Sequence, residues 1–151
     1  LKTIGGSVFR DCKSLTAVSM PSGLESIGES AFELCTALDS VTIPDSVTSI
    51  GASAFRYSGI RNLSIGSGVA ELKKETFGHC ENLETVYLAE GVKNVGNDYT
   101  ESFVFVGCTN LRSVSLPEGL ETIGSGAFQN CVSLTEITIP STVKKLSSGI
   151  F

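Results

Sequence analysis

The segment FGHCEN, residues 77–82, sets the only histidine of the chain, His79, beside a cysteine, Cys80. A cysteine nucleophile needs a base in contact with it and a third group to orient that base. Four more cysteines, Cys12, Cys35, Cys108 and Cys131, widen the possibilities to disulfides and metal ligation. In NDYTESFVF, residues 97–105, the carboxylates of Asp98 and Glu101 could reach a calcium ion, although two carboxylates fall short of the six or more oxygens calcium takes. No glycine-rich phosphate loop follows a strand pattern.

What positions these residues is a repeat. Aligned on an opening Leu or Val, the units begin at residues 1, 24, 47, 69, 92, 120 and 143, with separations of 23, 23, 22, 23, 28 and 23. Six are complete, and a seventh stops at Phe151. Three positions after the opener stands an apolar residue, from Ile4 and Ile27 to Ile123, usually followed by glycine. Next comes a phenylalanine in every unit: Phe9, Phe32, Phe55, Phe77, Phe105 and Phe128. Three residues on lies the cysteine column, which reads Ser58 in the third unit. Each unit closes with an alternating run such as LDSVTIP or LRSVSLP, the period of a strand with one buried face.

A unit of this size cannot bury its own apolar side chains, so the units must stack. The strands then lie parallel and in register about 4.8 Å apart, and six of them make a sheet roughly 29 Å wide. The chain returns over the other side through tight turns or short helical turns. The expected fold is a single α/β solenoid domain over residues 1–151 with about six 23-residue repeats. Neither end carries a polar cap, and KKLSSGIF leaves Leu146, Ile150 and Phe151 to be covered, so the repeat array is expected to continue or to meet flanking domains.

Repetition argues against chemistry. Cys80 belongs to a core column, so its thiol is expected to point inward while His79 points elsewhere. Zinc is disfavoured because the cysteines recur at about the repeat length, with no CxxC or HxxxH spacing. Stacked cysteines have Cα atoms near 4.8 Å apart, but parallel side chains hold their Cβ atoms just beyond the usual disulfide range. Five cysteines cannot all pair internally, so buried free thiols are the expectation. No enzyme activity, metal or cofactor is expected.

Units reading IGxxAFxxCxxLxxVxIPxx resemble the BspA-like, or Treponema-type, leucine-rich repeats, and the resemblance covers essentially the whole chain. It implies a leucine-rich-repeat fold with a parallel sheet on one face. Relatives of this kind are mostly bacterial, some are protozoan, and many are surface or secreted proteins implicated in adhesion. The resemblance thus implies an extracellular or cell-surface module that binds a host or matrix protein or a glycan. Rival roles are a spacer between domains, or the targeting arm of an enzyme encoded elsewhere in the protein. This sequence departs from the pattern at Ser58, at Lys73 and in the long fifth unit.

A net charge of -5 disfavours nucleic acid and anionic lipid as partners, and no run approaches the roughly 18 apolar residues of a membrane helix. Outward-facing strand positions form three columns: Thr16, Asp39, Arg61, Glu84, Arg112, Thr135; then Ala17, Ser40, Asn62, Thr85, Ser113, Glu136; then Ser19, Thr42, Ser64, Tyr87, Ser115, Thr138. Tyr and Arg concentrate binding energy at interfaces. Tyr87, Arg61, Glu84, Arg112 and Asp39 are therefore the candidate contact residues. Insertions and deletions in solenoids map to loops that often bind, which adds Tyr57 from the shortened third unit, and Asp98, Tyr99 and Glu101 from the fifth.

Overall fold

A computed structural model describes residues 1–97 and 101–151. Each repeat makes one rung of a solenoid. The closing runs supply the main sheet, in which β3 (Ser40–Ile43), β5 (Asn62–Ile65), β7 (Thr85–Leu88) and β9 (Ser113–Ser115) lie parallel in that order. A bridge between Ala17 and Ser40 extends it toward the first rung. Alternation places Val41, Ile43, Leu63, Ile65, Val86 and Leu88 in the core and leaves Thr42, Ser64 and Tyr87 facing out. The register pairs Ser40 with Asn62, Asn62 with Thr85 and Thr85 with Ser113, so from the second to the fifth rung the columns read from the sequence are rows of true neighbours. The closing run of the sixth rung forms no strand, and the expected six-stranded sheet has four strands and one bridge.

A second ladder lies beyond the opener of each unit. Its two-residue strands are β1 (Thr3–Ile4), β2 (Ser26–Ile27), β4 (Ser49–Ile50), β6 (Glu71–Leu72), β8 (Asn94–Val95), β10 (Thr122–Ile123) and β11 (Lys145–Leu146). They form two parallel groups, β1-β2-β4 and β6-β8-β10-β11. The break falls between the shortened third rung and the fourth, where Lys73 stands in the usual glycine position.

The return side corrects the expected helical turns: among the described residues there is no helix. Two columns of left-handed backbone run along this side, four residues apart. One is Ser7, Ser30, Ser53, Glu75, Phe103, Gly126 and Gly149; the other is Asp11, Leu34, Tyr57, His79, Gly107 and Asn130, all with φ between 48° and 70°. A right-handed helix cannot accommodate such a residue at every fourth position. Instead the amides alternate. Those of Ser30, Phe32 and Leu34 donate to the carbonyls of Ala52, Ala54 and Arg56 in the next rung, whereas those of Glu33 and Cys35 bond back three residues to Ser30 and Phe32. The return side is thereby a backbone ladder in its own right, which helps offset the roughly 1–2 kcal/mol each non-glycine left-handed residue costs.

The core is layered between these sides. Phe9, Phe32, Phe55, Phe77, Phe105 and Phe128 stack with successive ring centroids 5.1, 5.0, 5.3, 5.5 and 5.4 Å apart and planes within 12° of parallel. In the fifth rung Ser102, buried, donates from Oγ to the Asn97 carbonyl at 3.1 Å and accepts the Asn97 amide at 2.9 Å, closing the neck of the longer turn. No helix among the described residues is long and apolar enough to cross a membrane.

Candidate binding surface

The outward columns form a flat field of short hydroxyl and amide side chains crossed by one line of charge. The backbone amides of Arg61, Glu84 and Arg112 each donate to the carbonyl of the preceding rung's residue in the same column, Asp39, Arg61 and Glu84. That register stacks charges of alternating sign. Arg61 Nε lies 3.2 Å from Asp39 Oδ1, and its Nη1 lies 4.0 Å from Glu84 Oε1. Beside it, Thr85 Oγ1 donates to Asn62 Oδ1 at 2.7 Å.

Tyr87 stands three residues along β7 from Glu84 and is 53% exposed. Its neighbours in the register are Ser64 and Ser115, too small to cover its ring. The five residues singled out in the sequence therefore share one face, four as a ladder and Tyr87 just beyond its centre. At the end of the sheet Asp45 accepts the Ser67 amide at 2.7 Å and the Ser67 hydroxyl at 3.0 Å, and these bonds hold its carboxyl below the usual carboxylate range.

The loop candidates separate. Glu101 is exposed beside the closed neck of the fifth rung, while Asp98 and Tyr99 lie outside the described residues. Tyr57 is on the return side. Its ring stacks on His79 with centroids 4.8 Å apart, and the Arg56 guanidinium carbon lies 4.8 Å from its centroid. Arg56 is in turn held by Glu75 at 2.7 Å. In the rung's missing residue lies the cause of the tight turn: Gly59 runs so close to the second rung that a Cβ would come 2.1 Å from the Thr36 carbonyl oxygen. His79, singled out in the sequence as a possible base, borders this turn instead, together with Glu81 and Asn82, whose types alone did not distinguish them; the signal in the sequence was the shortened repeat next to the rung of Thr36.

Cys80 and His79 are not placed as a nucleophile and its base, and of the cysteines only Cys131 has its thiol shifted down, by its hydrogen bond with Cys108. Cys80 is buried with its Sγ 3.1 Å from the Phe55 carbonyl and 3.3 Å from Ser58 Oγ, while His79 is engaged with Tyr57. Burial pushes the thiols of Cys35 and Cys80 up to about 11, away from the reactive thiolate. Cys108 is pushed up as well, by its hydrogen bond to Cys131 and by burial. All five cysteines are free thiols, Cys12 exposed and the rest buried. Among the described residues no group of three or more His, Cys, Asp or Glu side chains is placed to hold a metal ion.

The family profile described as "BspA type Leucine rich repeat region" matches this chain in six copies, over residues 2–102 and 98–151. No curated protein matches it. Among solved structures, a leucine-rich repeat protein from Eubacterium ventriosum superposes with a TM-score of 0.80 at 29% identity, over 89% of this chain and 36% of that one. A leucine rich cell surface protein from Faecalibacterium prausnitzii gives 0.74 at 32% identity, over 100% of this chain and 40% of that one. The leucine rich repeat protein of T. pallidum gives 0.68 at 26% identity, over 90% of this chain and 72% of that one. The chain thus spans well under half of the first and second of these proteins.

Proposed function

The chain belongs to the BspA-type leucine-rich repeat family, and from that premise we propose that it is a non-catalytic binding module of a cell-surface or secreted protein, engaging a partner protein through the outer face of its main sheet. The observation that carries this reading is Tyr87, half exposed between two serines and next to the ladder Asp39–Arg61–Glu84–Arg112. An aromatic anchor beside arginines is the composition of an interface hot spot. The ladder supplies orientation, because a partner must present charges in the complementary order. The similarity to a protein described as a cell surface protein supports placement outside the cell.

The test is binding of the chain to a panel of purified extracellular-matrix proteins. The expected result is at least one saturable interaction that weakens tenfold or more in Tyr87→Ala and in Arg61→Glu, with the melting temperature of Tyr87→Ala unchanged. Equal affinity in both variants would remove the sheet face from consideration. Absence of any partner, with flanking domains held apart by the repeats, would favour the spacer role instead.

A further inference from the structure

The third rung is one residue short, and the shortening leaves a mark on the surface. In the second and fourth rungs the chain leaves the cysteine position through Thr36 and through Glu81–Asn82 before re-entering the core at Leu38 and Leu83. In the third it cuts directly from Ser58 through Gly59 to Ile60. The result is a slot of about 280 Å³, one rung wide, with Ser58 and Gly59 as its floor. Leu34 and Thr36 border it on one side and His79, Glu81 and Asn82 on the other, with Tyr57 at its head.

A second observation coincides with the slot. The left-handed column is occupied by Asp11, Gly107 and Asn130 in three rungs, residue types that tolerate this backbone. In the three rungs around the slot it holds Leu34, Tyr57 and His79. Leu34 and Tyr57 are placed there against their backbone preference, and such outliers gather where a side chain is needed.

The lining selects a ligand class. Thr36, Glu81 and Asn82 are exposed, their side chains have no hydrogen-bond or ion-pair partner among the described residues, and with His79 and the Tyr57 hydroxyl they offer donors and acceptors together. A flat aromatic ligand finds no open ring: Tyr57 lies between Arg56 and His79, and the far side of His79 rests on Gly107, where a Cβ would approach Nδ1 to 2.5 Å. An anion meets the uncompensated carboxylate of Glu81, since Arg56 is taken by Glu75. A lone cation leaves the amide and hydroxyl donors unused. A neutral polyol uses both, and the volume holds a single ring. We propose that this slot is a second binding site, separate from the sheet face, and that it takes one neutral sugar residue.

Because His79 is the only histidine, its imidazole resonances report on this slot alone. Methyl glycosides of glucose, galactose, mannose and N-acetylglucosamine are titrated into the intact chain, alongside a glycoprotein before and after enzymatic deglycosylation and, as a cationic probe, N-acetyl-lysine amide. The expected result is a saturable shift of the His79 signals with at least one glycoside, which assigns the source to free saccharide, or only with the glycosylated protein, which assigns it to a glycan. Affinity should fall at least tenfold in the double variant Glu81→Gln, Asn82→Ala. It should also fall when one alanine is inserted between Gly59 and Ile60, which restores the rung to full length. No shift with any sugar, a shift with the lysine probe alone, or binding that persists in the double variant overturns the proposal.

Discussion

The thiol of Cys80 donates to the carbonyl oxygen of Phe55 one rung earlier, at 3.1 Å, and Cys35, Cys108 and Cys131 make the same contact to Phe9, Phe77 and Phe105. The column is a set of small apolar fillers whose weak donors tie each rung to the last. In the native chain one thiol, that of Cys12, should react quickly with a disulfide reagent, and all five should react after denaturation without reductant. The same burial gives a pH dependence. Because the folded Cys80 binds its proton more tightly than the unfolded one, its contribution is complete below about pH 9 and is lost as pH rises toward about 11. Denaturant melts should show stability falling through that window, by up to roughly 2–3 kcal/mol from this thiol, and falling less in Cys80→Val.

Phe77 sits in the middle of the aromatic stack, between Phe55 and Phe105, and is fully buried. Phe77→Ala should destabilise by about 3–5 kcal/mol. Phe9→Ala, at the end of the stack and only half buried, should cost clearly less. Equal losses in chemical denaturation would contradict a layered core in which each rung rests on its neighbours.

Gly59 is required by proximity, since its φ is ordinary and a Cβ would strike the Thr36 carbonyl. Gly59→Ala should cost about 1–3 kcal/mol through forced separation of the second and third rungs. Gly23, which has open space around it, is the control: Gly23→Ala should leave the melting temperature within a degree or two.

The ladder on the main sheet should matter little for folding. Arg61 and Asp39 are each about 60% exposed at the side chain, and exposed ion pairs contribute about 0–1 kcal/mol. Arg61→Ala should therefore shift stability by less than about 1 kcal/mol in a denaturant titration, which leaves this variant clean for binding measurements.

The sequence showed the period, the parallel register, the buried phenylalanine and cysteine columns and the outward rows, because all of these follow from a pattern repeated six times. The helical turn was the misreading. AFELC and its equivalents resemble a helix start, but Gly107, Gly126 and Gly149 already fall in the columns where Leu34 or Ser30 stands in other rungs, and glycine recurring there signals left-handed backbone. The second ladder was invisible for a different reason: two residues per rung, such as Ser26–Ile27, are too few to display an alternation. The slot beside Gly59 needed coordinates, since the deletion tells where a rung is short and not which side chains of the two flanking rungs then face the gap.

The return-side and sheet hydrogen bonds both run from one rung to the next, along the axis of the stack. Tension between the two ends therefore loads the rungs in series, and the weakest terminal rung yields first while the rest stay intact. Each ordinary rung that peels away frees 23 residues, or about 80 Å of extended chain. A molecule built this way lengthens stepwise under a pulling force, with evenly spaced extensions in a single-molecule trace broken once by the longer fifth rung.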